Sequence, residues 1–240
     1  MADLNNDGHI DLIAGNLGKN YKYKAKNGKT FDVYAADFDQ NGKQDIVLGY
    51  FEGNIQYPVR GKQCSSEQIP LIKEKFMNYD AFANSDLKAI YGVDALDNAL
   101  HYQANQMASM VFFRQPNKGF QGVELPIEAQ MSSINAIQVV DINKDGFEDL
   151  FVAGNLFQAE IETPRGDASF GQLFINNQDR SFSHIPNDKS GLYLPNETRT
   201  ISKVNWLGDT IYLVGSNNNQ IQVLEITNED KLEPIAEIID

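Results

Sequence analysis

Three times the chain spells one nine-residue pattern, D-x-[DN]-x-[DN]-G-x-x-D, and each copy runs straight into an apolar stretch. The copies are Asp3 to Asp11, Asp37 to Asp45 and Asp141 to Asp149. Carboxylates this close repel one another unless a cation or hydrogen-bond donors offset them. Oxygens on alternate residues of a tightly wound loop suit a hard divalent cation, which takes six to eight of them at about 2.3–2.6 Å. Glycine at position six permits the sharp turn, after which a carbonyl at position seven and a carboxylate at position nine can close the sphere.

This spacing assigns Asp3, Asn5, Asp7, the carbonyl of His9 and Asp11 to a first site. The second takes Asp37, Asp39, Asn41, the carbonyl of Lys43 and Asp45; the third takes Asp141, Asn143, Asp145, the carbonyl of Phe147 and Asp149. An oxygen-only donor set favours calcium, about three ions, over magnesium or zinc. The competing reading is that Asp, Asn and Gly form hydrogen-bonded turns with no metal. A helix-loop-helix calcium site is excluded, because the bidentate acid it needs at position twelve is replaced by Ala14, Leu48 and Val152.

With 240 residues, 42% of them hydrophobic, the chain can bury a sizeable core in one or two domains. Its formal charge of −13 would be offset by six charges if three such ions bound, and the remaining acidity argues against nucleic acid as a partner. No stretch has the apolar length of a membrane span, and Met1 to Leu4 lacks the basic and apolar regions of a signal peptide. Cys64 is the only cysteine, so an internal disulfide is excluded.

Strands are expected before the second and third loops, at 31–36 and 134–140, whereas the first loop opens at residue 3 without one. The expectation is therefore a piece of a longer polypeptide. Apolar runs ending in glycine follow each loop and recur at Ile211 to Gly215, after a turn Leu207-Gly208-Asp209 that has no ligands. Further strand pairs flank polar turns at 110–125, 173–185 and 221–235. The segment 62–106 changes to a helical pattern, with Pro70 at a first helical position and Ile72, Phe76 and Tyr79 at helical spacing. The expected fold class is all-β with a helical insertion, a partial β-propeller of four-stranded units. Its expected divisions are 1–61 with two calcium loops, 62–106 as the insertion, and 107–240 with the third loop and one degenerate unit.

These residues resemble the FG-GAP/VCBS repeats, the calcium-loop blades of integrin-α-like propellers. The order of two loops, helical insertion and third loop, flanked by Glu128-Ala129-Gln130 and Asp167-Ala168-Ser169-Phe170-Gly171, resembles the C-terminal part of long bacterial VCBS proteins that also carry an ASPIC/UnbV module. That module is not seen in this sequence. The resemblance implies an exported protein, extracellular, periplasmic or at the cell surface, whose calcium sites stiffen its blades and whose task is recognition of a protein or glycan.

No catalytic set emerges, since His9, His101 and His184 are far apart and no nucleophile or phosphate-binding pattern accompanies them. The expectation is a non-catalytic recognition segment. Two alternatives stand beside it: a propeller enzyme cleaving polysaccharides or phosphoesters, and a purely architectural segment. Arg165-Gly166-Asp167 spells an adhesion tripeptide, but a three-residue match is a weak signal beside an ordinary turn.

Overall fold

The computed structural model describes residues 1–159 and 163–226, together with the backbone of 232–237. In chain order it has β1 (Leu12–Ala14), β2 (Phe31–Ala36), β3 (Asp45–Glu52) and β4 (Ile55–Pro58). Five short helices follow: α1 (Lys62–Gln68), α2 (Leu71–Lys75), α3 (Tyr79–Ala83), α4 (Leu87–Tyr91) and α5 (Val93–Asp97). Next come β5 (Leu100–Ala104), β6 (Met110–Gln115), β7 (Gly119–Glu124), β8 (Ile134–Val140), β9 (Asp149–Gly154), β10 (Gln172–Asn176) and β11 (Phe182–Ile185). After the one-turn helix α6 (Asn187–Ser190) the chain ends in β12 (Thr198–Trp206), β13 (Asp209–Ser216), β14 (Gln222–Ile226) and β15 (Leu232–Glu237). The turn joining β14 to β15 lies outside the described residues.

The strands pair antiparallel in four sheets, ordered β1-β6-β7, β4-β3-β2-β5, β11-β10-β9-β8 and β12-β13-β14-β15. The fold is mostly β with a helical insertion. Both strands expected to lead into acidic loops form at the expected residues, because their alternating apolar positions give each a buried face. The ligand-free turn becomes a tight reversal between β12 and β13, with Leu207 at φ 53° and Gly208 at φ 103°.

Two compact units divide the chain: residues 1–22 with 108–240, and residues 23–107. This differs from the division expected at 61/62 and 106/107. The reason is sheet pairing: Leu12 lies opposite Phe112 and Ala14 opposite Met110, so the β6–β7 hairpin completes the sheet that β1 begins. Everything from 23 to 107 is inserted between β1 and β6.

In the first unit every residue of β9 is buried, and alternate side chains serve different cores. Phe151 and Ala153 join Ile142, Tyr212, Val214 and Leu224 on one face. Leu150 and Val152 join Leu4, Val111, Phe113 and Phe174 on the other. The β8–β11 sheet is thus packed on both faces by neighbouring sheets, which explains why β9 reads as a continuous apolar run. That run ends in glycine because a Cβ on Gly154 would lie 1.8 Å from the Ser133 carbonyl oxygen.

The second unit packs its helices on one face of the β4-β3-β2-β5 sheet, where Tyr34 and Val47 meet Ile72, Phe76, Phe82, Leu87 and Leu96. The expected helical stretch is broken into one- and two-turn pieces. Ile72, Phe76 and Tyr79 do not share a helix: α2 stops at Phe76, and Asn78 caps α3 by accepting the Ala81 N–H at 2.8 Å. Asp86 does the same for α4, and Gly92 at φ 91° separates α4 from α5. Pro70 stands at the N-cap of α2, one place before the first helical position. The helices end at Asp97, and Leu100–Ala104 is the strand β5, paired with β2.

Candidate metal centre

The three acidic loops share one backbone path. Position four is left-handed in each, at Asn6 (φ 55°), Gln40 (φ 59°) and Lys144 (φ 58°), and so is position six, at Gly8, Gly42 and Gly146 (φ 83–86°). A glycine carries the second reversal without the penalty that a Cβ would bring.

One hydrogen-bond skeleton holds all three loops. The carboxylate at position one accepts two backbone N–H groups: Asp3 those of Asp7 and Gly8, Asp37 those of Asn41 and Gly42, Asp141 those of Asp145 and Gly146, at 2.8–3.1 Å. The position-three oxygen of Asn5, Asp39 and Asn143 accepts the position-five N–H at 3.2 Å. The position-five oxygen of Asp7, Asn41 and Asp145 accepts the N–H of His9, Lys43 and Phe147 at 2.8–3.0 Å. Side chains at one, three and five are thereby folded back onto the loop's own backbone.

Position nine does more than spacing suggested. Asp11 is fully buried and accepts the Leu4 N–H at 3.0 Å and, across the sheet, the Arg114 N–H of β6 at 2.7 Å. Asp149, equally buried, accepts the N–H groups of Ile142 and, from β10, Asn176, both at 2.8 Å. Asp45 takes the Phe38 N–H at 3.1 Å, and Gln68 of α1 donates to its other oxygen at 3.4 Å. Each position-nine acid therefore fastens its loop to a neighbouring element. A carboxylate has about four lone-pair sites, so two such bonds leave it able to ligate a cation.

The donor set fits a hard cation. Asp37, Asp39 and Asp45 each offer an oxygen, and these lie within 4.8 Å of one another. Two ligand oxygens of one calcium ion stand at most about 5 Å apart, so the three can share an ion. The first and third loops differ in detail: Asn5 Nδ2 donates to Asp7 Oδ2, and Asn143 Nδ2 to Asp145 Oδ2, both at 3.0 Å. Among the described residues only the second loop gathers its three carboxylates this closely; Asp3, Asp7 and Asp11, and likewise Asp141, Asp145 and Asp149, form no such group.

Ionisation follows the same contacts. Burial works against the charge on Asp7, yet hydrogen bonds from Asn5 and His9, with the His9 charge, hold its carboxyl below the ordinary value. The Phe147 N–H lowers Asp145, opposed by burial and helped by Asn143 and Gln178. Burial pushes Asp149 up, against the bonds from Asn176, Ile142 and Asn143 and with the Asp145 charge adding to the rise.

Sequence reasoning missed Asn176, which is buried and binds the first and third loops together. Its Nδ2 donates to the Leu4 carbonyl at 2.6 Å and the Glu148 carbonyl at 3.1 Å. Asn6 Nδ2 adds a direct bond to the Gly146 carbonyl at 3.1 Å. Gln130, in the Glu128-Ala129-Gln130 segment, is likewise a buried connector: its side chain bonds Ser109 and the Leu125 carbonyl, and its carbonyl accepts the Lys19 and Asn20 N–H groups. Within the adhesion-like tripeptide, Arg165 pairs with Asp167 at 3.3 Å and lies 3.5 Å over the Phe157 ring, while Gly166 bridges to Leu156.

Compared with known proteins, the chain matches no family model and no curated protein. Among the described residues no helix is long and apolar enough to cross a membrane.

Proposed function

We propose that the chain is a calcium-binding segment of an FG-GAP/VCBS-type β-propeller, its sheets serving as blades or parts of blades. On this reading it is non-catalytic, belongs to a longer exported polypeptide, and recognises a protein or glycan outside the cell or at its surface. The observation that carries the reading is the shared skeleton of the three loops. Matching hydrogen bonds in three loops are more regular than unrelated polar turns require, and in the second loop three carboxylate oxygens lie close enough together to share a hard cation. Bound calcium would offset the gathered carboxylates and couple loop order to folding. The position-nine acids would pass that rigidity to β6, β10 and α1 through the bonds they already make.

A calorimetric titration of the full chain tests the metal assignment. Calcium should bind at one site per loop and magnesium much more weakly; an absence of calcium-specific heat would overturn it. A glycan array probed in calcium and again in chelator tests recognition. Calcium-dependent retention of one glycan class supports it, whereas hydrolysis of the bound glycan would favour the enzyme alternative.

A further inference from the structure

In the second unit a cavity of about 520 Å³ opens between the sheet and the residues of α4 and α5. That volume lies within the range of small-molecule sites. At its base β2 and β5 place Tyr34 opposite His101, with the rings stacked 4.1 Å apart and 9° from parallel. Two residues along the same face, Asp32 is almost wholly buried and opposite Gln103.

Asp32 holds the imidazole in place. His101 Nε2–H donates to its Oδ1 at 2.6 Å, Gln103 Nε2 donates to the same oxygen at 2.9 Å, and Thr30 Oγ1 donates to Oδ2 at 2.6 Å. A carboxylate oxygen accepts, so this bond keeps a hydrogen on Nε2 and leaves Nδ1 to the cavity, as an acceptor in the neutral imidazole and a donor in the imidazolium. Nδ1 makes no hydrogen bond among the described residues, and His101 lines the cavity with its side chain one-third exposed.

The rest of the lining limits the ligand. Gln56 accepts the Tyr34 hydroxyl at 3.3 Å through Oε1, which leaves its amide N–H groups to donate. Gly49 makes room for that side chain, since a Cβ there would stand 3.0 Å from Gln56 Nε2. Asn54 adds a second amide, Phe51 an apolar face, and the rim carries both signs of charge, Lys88 against Asp86 and Asp97. Asp86 is already committed to capping α4. An anion would meet the carboxylates and a cation would meet Lys88. A ligand whose hydroxyls both donate and accept, with a C–H face for the aromatic wall, satisfies the whole lining.

We propose that this cavity binds a neutral polyhydroxyl ligand, a single pyranose unit, with His101 Nδ1 hydrogen-bonded to one hydroxyl and the amides of Gln56 and Asn54 holding others. The inference does not rest on the calcium assignment, as none of these residues belongs to a metal loop. The test is an NMR titration of the ¹⁵N-labelled full chain with glucose, galactose, mannose and N-acetylglucosamine into the tens of millimolar, in calcium and in chelator. At least one sugar should shift the amides of Asn54, Gln56 and His101 saturably. His101→Ala should weaken it about tenfold or more, the loss of a hydrogen bond in a sheltered site. Because that change also strips a partner from buried Asp32, Asn54→Ala, on an exposed turn, is the second variant and should weaken binding in the same direction. The proposal is overturned if no sugar moves these resonances, if both variants bind as the parent does, or if only methylammonium or inorganic phosphate produces the shifts.

Discussion

Asp149 carries two jobs that a substitution can separate. Replacing it with alanine strands the Ile142 and Asn176 N–H groups, each costing about 1–3 kcal/mol when buried without an acceptor. We expect Asp149→Ala to lower stability in chelator as well as in calcium, by denaturant titration. Asp145→Ala, at an exposed position, should leave the chelated protein nearly unchanged and lose most of the calcium-dependent gain. Tyr91 gives a pH test in the second unit. Burial, with the Asp45 charge adding, raises its hydroxyl above the usual value near 10, against the Ser65 bond at 3.2 Å and the Arg60 charge. A raised folded value means that its contribution is complete below the unfolded value and disappears as pH climbs through the folded one. The parent should therefore lose more stability than Tyr91→Phe as pH rises above about 10. Equal losses would show that this hydroxyl is not protected.

Asn176 sets the prediction for the elements. It ends β10, takes its N–H to Asp149 and its amide to Leu4 and Glu148, and so ties two acidic loops to one strand. Asn176→Ala should weaken calcium at the first and third loops while leaving the second as it was, a change from one class of sites to two in the titration isotherm. The shared turn geometry of the loops was legible in the sequence because it is local: a nine-residue spacing places the glycine where the backbone reverses. Pairings across long separations were not. Nothing near Met110 says that it lies opposite Ala14, and a sequence separation of 69 between Asp32 and His101 conceals a hydrogen bond that only the β2–β5 register creates. The helical stretch misled for a different reason: apolar spacing at Ile72, Phe76 and Tyr79 was real, but the caps at Asn78 and Asp86 divided it.

Across the molecule, the acidic loops occur in both compact units, two in the residues 1–22 with 108–240 and one in 23–107. Calcium should accordingly stabilise both. The most direct measurement is a thermal melt of the full chain in millimolar calcium against the same chain in chelator. Each site filled to about a hundred times its dissociation constant adds about 2.7 kcal/mol. The account predicts a rise of many degrees in calcium, a much smaller one in magnesium, and loss of the rise when Asp37, Asp39 and Asp45 are replaced together for the unit they serve. Superimposable melts in calcium and chelator would mean that the three loops are hydrogen-bonded turns and nothing more, and the calcium assignment would fall.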